Sequence, residues 1–158
     1  MVRKNFWPLG LTFFSVLVLD LLTKKVVLTH YPLYYSREVI PGFFNLVHIQ
    51  NRGVAFGFLS GQNSFWRDAL LTLLPIAAIV GILIYLLIYP PRKKGLLLAL
   101  GGVLGGALGN LIDRFRFKAV VDFLDFYWGR VHWPAFNVAD SAITLGVLYL
   151  IYRFWREA

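Results

Sequence analysis

The apolar residues of this chain fall in long, unbroken blocks. Ala69 to Tyr89 is 21 residues without a charge, and Gly95 to Ile112 is another 18. About 20 apolar residues cross the hydrocarbon of a bilayer as a helix, so both blocks read as spans. A third block, from Phe6 to Leu19, continues through Asp20-Leu-Leu-Thr-Lys24. Its basic start, Arg3-Lys4, resembles a secretory leader. It lacks a small-x-small cleavage site, however, and three further apolar blocks follow it. The last block begins near Asn137 and closes on Arg153 and Arg156. The pattern therefore predicts helices at about 7–28, 67–89, 95–113 and 137–154. Residues 30–65 differ: Pro32, Pro41, Gly42, Gly53, Gly57 and Gly61 break up short runs such as Phe43-Phe44-Asn45-Leu46-Val47-His48-Ile49. That is a strand-and-turn composition. An open sheet edge is not tolerated in hydrocarbon, so the sheet is expected on the surface, over the helices. The expected fold is an all-α membrane bundle of four transmembrane helices with a small extracytoplasmic antiparallel β-sheet, one integral membrane domain over residues 1–158.

Composition sharpens this picture. The chain is 58% hydrophobic and 17% aromatic, above the usual soluble domain, and it has no Cys. That excludes disulfides, a thiolate nucleophile and Cys-based metal sites. The net charge of +8 is spread out, with no basic run longer than Arg92-Lys93-Lys94. Anionic lipid headgroups are the expected partner, and nucleic acid is not. Arg3-Lys4, the 92–94 turn and Arg153/Arg156 lie at one end of a four-span arrangement, which marks that end and both termini as cytoplasmic. The remaining nine Lys and Arg fall in longer segments shared with seven of the eight acids. Gly101, Gly105 and Gly109, like Gly102 and Gly106, recur every four residues and predict close helix packing. They fit neither phosphate-loop spacing.

Four of the eight acids lie between Gly109 and Ser141. Carboxylates where a span meets water are costly to keep and point to function. Asp122 and Asp140 fall near the ends of the third and fourth helices, at the outer face. Two carboxyls sharing one proton activate a water, one as base and the other as hydrogen-bond donor to the scissile carbonyl. The plainer readings are an Asp140 that interacts with its helix dipole, and an Asp122 and Asp125 paired with Arg114, Arg116 or Lys118. Eighteen positions separate Asp122 from Asp140, and sequence alone does not bring them together. Asp20 and Lys24, four apart, share a helix face; a structural ion pair is favoured over a catalytic one. Asn51-Arg52-Gly53-Val54-Ala55-Phe56 reads equally as a turn, Asn51 bonding backbone, or as a substrate-facing loop. His30, His48 and His132 have no metal-ligand spacing. Ser60 and Ser64 lack a nucleophile motif. A small helical channel, transporter or lipid-binding protein whose buried acids form an ion path, and a serine-type intramembrane protease, remain the competing classes.

In order along the chain stand Asp20-x-x-Thr-Lys24, Asn51-x-Gly53-x-Ala55-Phe56, Gly109-Asn110-Leu-Ile-Asp113-Arg114, Val120-Val121-Asp122-Phe123 and Pro134-Ala135-Phe136-Asn137-x-Ala139-Asp140-Ser141. Together they closely resemble the lipoprotein signal peptidases (signal peptidase II), bacterial aspartic proteases of the inner membrane. The resemblance implies cleavage of prolipoproteins just before a diacylglyceryl-modified Cys, with Asp122 and Asp140 as the catalytic aspartates. It places Asn51, Gly53, Asn110, Arg114, Asn137 and Ala139 at positions lining or bracing the site, supported by Asp20 and Lys24. It implies no metal and no organic cofactor, a monomer among membrane lipids, and an active site at the extracytoplasmic face. One departure stands out: Lys118 occupies a position where the resemblance leads one to expect Gly.

Overall fold

The computed structural model describes residues 6–53, 65–91 and 93–157, apart from the Glu157 side chain. It contains helices α1 (Trp7–His30), α2 (Phe65–Ile88), α3 (Lys94–Phe117) and α4 (Val138–Glu157). Four strands, β1 (Ser36–Ile40), β2 (Phe44–Asn51), β3 (Val120–Trp128) and β4 (Val131–His132), form an antiparallel array in the order β1-β2-β3-β4. The expected helices are present, with ends shifted by up to four residues. By length and composition α2, α3 and α4 are each apolar enough to cross a membrane.

The bundle is organised around α3, which packs on α1, α4 and α2. Most of α3 is buried, while α2 and α4 present apolar surface outward. The glycine rows explain how closely the neighbours approach. A Cβ at Gly101 or Gly105 would run into the α1 backbone at Leu9 or Phe13, and one at Gly106 into the α4 backbone at Ala139. Bare backbone on two faces of α3 thus lets two helices press onto it at once.

α1 is built the other way round from a soluble helix. Its buried residues include Asp20 and Lys24, whereas Trp7, Leu11, Phe14, Val18, Leu22 and Val26 are exposed. Those six recur at helical spacing and form one apolar outer stripe.

The sheet differs from the expectation in one respect that matters. It is not confined to residues 30–65, because half its strands come from the segment between α3 and α4. Asp122 lies on β3 and not at a helix end. α3 stops at Phe117, and Lys118 adopts a left-handed conformation (φ 56°, ψ 21°) with its N–H bonded to Arg114 O. A glycine would take that conformation without strain. Lys118 takes it anyway, so the departure noted above leaves the turn into β3 intact.

The residues between Asp122 and Asp140 form a return path. β3 runs outward, turns at Gly129 (φ 60°), and comes back through β4. Phe136 then pairs with Leu124, with mutual backbone bonds of 2.9 and 3.0 Å. That pairing delivers Asn137 and the first turn of α4 beside Asp122.

Candidate active site

Asp122 is buried on β3, between Val121 and Phe123 of the sheet core. A bulge in β2 sets its first partner. Leu46 opposes Leu124 but Ile49 opposes Asp122, so β2 carries one extra residue. A one-residue shift turns every later side chain to the other face. Asn51, opposite Val120, therefore shares a face with Asp122, and its Nδ2 donates to Asp122 Oδ2 at 3.0 Å. Its Oδ1 accepts the Gly53 N–H at 2.9 Å, which fixes the amide and gives the expected turn. Val54-Ala55-Phe56, Ser60 and Ser64 lie outside the described residues.

Asn137 is the second partner, donating from Nδ2 to Asp122 Oδ1 at 2.8 Å. It is also the N-cap of α4. Asp140 N–H donates to Asn137 Oδ1 (2.9 Å), and Asn137 N–H donates to Asp140 Oδ2 (3.3 Å). This reciprocal arrangement is a capping box. It ties the two aspartates to one amide, whose nitrogen serves Asp122 and whose oxygen holds the turn carrying Asp140. The Asn-x-x-Asp spacing is a helix-start signal legible in the sequence, and it accounts for the helix beginning expected near Asn137.

Asn110, on α3, serves Asp140. Its Nδ2 donates to Asp140 Oδ1 at 2.7 Å. Its Oδ1 accepts from Lys24 Nζ (2.8 Å) and from Asn137 Nδ2 (3.2 Å). An ammonium has no acceptor, so the atom facing Lys24 must be the amide oxygen. Lys24 therefore sets which end of Asn110 reaches Asp140.

Lys24 is buried among acceptors. It contacts Asp20 Oδ2 at 2.8 Å and Asp113 Oδ2 at 2.9 Å, and both carboxylates are buried as well. Each carboxylate also holds backbone: Asp20 Oδ1 accepts Ala139 N–H (2.9 Å) and Asp113 Oδ2 accepts Val121 N–H (3.1 Å). One bond anchors the start of α4 and the other the start of β3. Gly109 makes room for the cluster, since a Cβ there would collide with the Asp20 carboxylate. Asp113 is the residue that the sequence reading passed over as a site member. Its role depends on Lys24, 89 positions away.

Asp122, Asp140, Asn51, Gly53, Asn110 and Arg114 all line one cavity of about 640 Å³, bounded by α2, α3, α4 and the sheet. Asn137 and Ala139 stand behind its wall, fully buried. The Asp122 carboxyl is pushed up to about 7, first by burial and then by the charge of Asp140; the Asn51 and Asn137 donors oppose the shift. Asp125 faces elsewhere. It accepts from Asn45 Nδ2 (2.9 Å) and pairs with His132 Nδ1 (2.9 Å), whose ring stacks on Tyr127. It thus braces the outer sheet, and the expected partners Arg114, Arg116 and Lys118 are not the ones it takes.

A family model described as signal peptidase (SPase) II matches residues 12–156. The lipoprotein signal peptidase of Maridesulfovibrio salexigens is 47% identical, over 98% of this chain and 99% of that protein. That of Syntrophus aciditrophicus is 48% identical, over 86% of this chain and 84% of that protein. Two solved bacterial membrane enzymes share the fold. One superposes with a TM-score of 0.83 at 30% identity, covering 94% of this chain and 88% of its own. The other gives 0.81 at 26% identity, covering 95% and 94%.

Proposed function

This chain belongs to the signal peptidase II family, and we propose that it is a membrane aspartic endopeptidase that removes the signal peptide of prolipoproteins, cutting before a diacylglyceryl-modified Cys. The observation that carries the proposal is the pair of carboxyls on one cavity wall, each held by an amide that is itself locked in place. In the resting enzyme Asp122 carries the shared proton, because a second anion beside Asp140 in a dry site is unfavourable. Asp140 sits at the positive end of the α4 dipole, where negative charge is better tolerated. Asp140 takes a proton from the attacking water while Asp122 donates a hydrogen bond to the scissile carbonyl. The tetrahedral intermediate collapses as the proton reaches the leaving nitrogen, with no acyl-enzyme. Arg114, on the same cavity, supplies positive charge facing the pair.

In this reading the substrate reaches the cavity from the bilayer, its acyl chains remaining in apolar surroundings between α2 and α4. The sheet, with Asn51 and Gly53, holds the peptide, and this orientation supplies much of the rate. The proposed topology has four spans, both termini in the cytoplasm and the site at the outer face of the inner membrane, in keeping with the basic residues near both termini and at 92–94. The outward apolar stripe of α1 supports its being the fourth span, since its charges are all turned towards α3 or its far end. Asp20, Lys24 and Ala139 brace the site without touching substrate. The protein acts as one domain over residues 1–158 and as a monomer, with neither metal nor organic cofactor. The test is cleavage of a synthetic lipidated precursor by the purified protein, beside the same peptide without lipid. Cutting of the lipidated form alone supports the proposal; equal cutting of both overturns the lipid requirement, and cutting of neither overturns the activity.

A further inference from the structure

A second cavity, of about 360 Å³, lies between α1, α3 and α4 towards the opposite end of the bundle. Small residues open it: Ala99 and Gly102 on α3, Ala142 and Gly146 on α4. Its walls are almost wholly apolar, with Thr12 and Tyr149 the only side chains in the lining that carry a polar atom. Thr12 spends its hydroxyl on Pro8 O at 2.9 Å, so the lining offers little to a polar guest. The Tyr149 hydroxyl lies over Gly95, at the N-terminal end of α3. Here the groove meets charge. Lys94 is the next residue, with Nζ 5.5 Å from the centre of the Trp7 ring on α1. Arg153 follows Tyr149 by one turn of α4, and Arg156 stacks on Tyr152. Among the described residues, Lys93, Lys94, Arg153 and Arg156 fall at this end.

An apolar slot, open between membrane helices and crowned by basic residues, has the shape and polarity of a phospholipid. We propose that this groove binds one anionic glycerophospholipid of the leaflet at that end, an acyl chain filling the slot and the phosphate lying against Lys94 and Arg153. Thr12 and Tyr149 are the only polar side chains of that lining, and Thr12 is already bonded to Pro8 O, so the lining suits an acyl chain better than water. The aqueous-face cavity and this groove meet at Leu145, which lines both. The bound chain packs under Leu145 and fills the junction where α1 and α4 touch only lightly. The proposal rests on α1, α3 and α4 lying in the bilayer and not on the peptidase activity.

The test is native mass spectrometry of the detergent-purified full chain, offered phosphatidylglycerol and phosphatidylcholine with the same acyl chains. The wild type is expected to retain one phosphatidylglycerol. Each basic residue near anionic headgroups contributes roughly fivefold, so the preference over phosphatidylcholine is on the order of 25-fold. The double variant K94Q/R153Q should keep a lipid but lose that preference. Thr12→Phe, which fills the slot, should lose the lipid altogether. Gly102→Ala is the milder companion: its added methyl meets only ordinary contacts, 3.6 Å from Ala142 O and 3.8 Å from Thr12, so the fold is retained while retention falls. Equal retention of both lipids, or retention unchanged in Gly102→Ala and Thr12→Phe, overturns the proposal and leaves a nonspecific lipid annulus. Recovery of a second copy of the chain or a peptide at this site overturns it as well.

Discussion

Two groups of carboxylates, all buried except the half-buried Asp140, lie within one hydrogen-bond network, and they differ in what they are paired with. Asp20 and Asp113 close on Lys24, and their other bonds go to backbone N–H groups. Asp122 and Asp140 receive only amide donors and open onto a cavity. The first group is an ionic cluster, two carboxylates on one ammonium, that pins α1, α3, α4 and β3 together. The second keeps capacity in reserve, with two acids near one another and no ammonium between them. Carboxylates that close on an ammonium hold structure, and carboxylates left without one at a cavity are available for chemistry. Asn110 joins the groups: its oxygen belongs to the first and its nitrogen to the second.

Substitution separates the two groups most sharply. Asp122→Asn or Asp140→Asn should reduce cleavage of a lipidated precursor by at least about 10³-fold, the upper range for loss of general acid–base chemistry. Their thermal midpoints in detergent should fall little, because no buried ion pair is broken. Lys24→Met should do the reverse and cost roughly 3–5 kcal/mol, because it leaves two buried carboxylates uncompensated. Neutralising the whole cluster, D20N/K24M/D113N, should recover much of that loss, since each Asn still offers an oxygen to its backbone N–H. A triple variant no more stable than Lys24→Met alone would contradict the pairing as described.

Proton occupancy gives a finer contrast. The Asp122 carboxyl titrates near 7 in the folded protein, against an ordinary value of 3.8. Between those values the folded chain holds a proton that the unfolded chain has released. Stability contributed by this group is therefore complete below about pH 4 and declines as pH rises to 7, at up to about 1.4 kcal/mol per unit. Asp122→Asn should flatten that slope in thermal unfolding measured across pH. Activity should fall above pH 7 as the shared proton is lost. Asn51→Ala removes a donor that favours the anion, so the alkaline limb should move to higher pH while kcat drops about tenfold. A limb that moved to lower pH would reverse the assigned role of Asn51. The smallest effect is expected at Lys118. Replacing it with Gly relieves a left-handed residue and should add about 1 kcal/mol of stability without changing turnover.

These contrasts also show what could be read before the fold was known. Unbroken apolar blocks located α2, because a lipid-facing helix needs no polar stripe, and α3, because a helix enclosed by apolar neighbours needs none either. The β-branched and aromatic runs at 36–51 announced β1 and β2. β3 was missed because Val120 to Phe123 are all buried, so the strand lacks the alternation that marks a half-exposed one. The individual site residues were legible through their resemblance to a known pattern. Their wiring was not: Lys24 to Asn110 spans 86 positions and Asn51 to Asp122 spans 71. No local rule connects such distant residues, and the β2 bulge that turns Asn51 towards Asp122 leaves no mark in composition.

The central claim is that Asp122 and Asp140 hold one proton between them. Carbon-13 NMR of carboxyl-labelled aspartate, titrated in detergent micelles for the wild type and Asp140→Asn, tests it most directly. One carboxyl, assigned to Asp122 by its absence in Asp122→Asn, should titrate near 7 in the wild type. In Asp140→Asn its midpoint should fall, yet stay above 3.8 because burial persists. A midpoint near 4 in the wild type, or one indifferent to the loss of Asp140, would contradict the account.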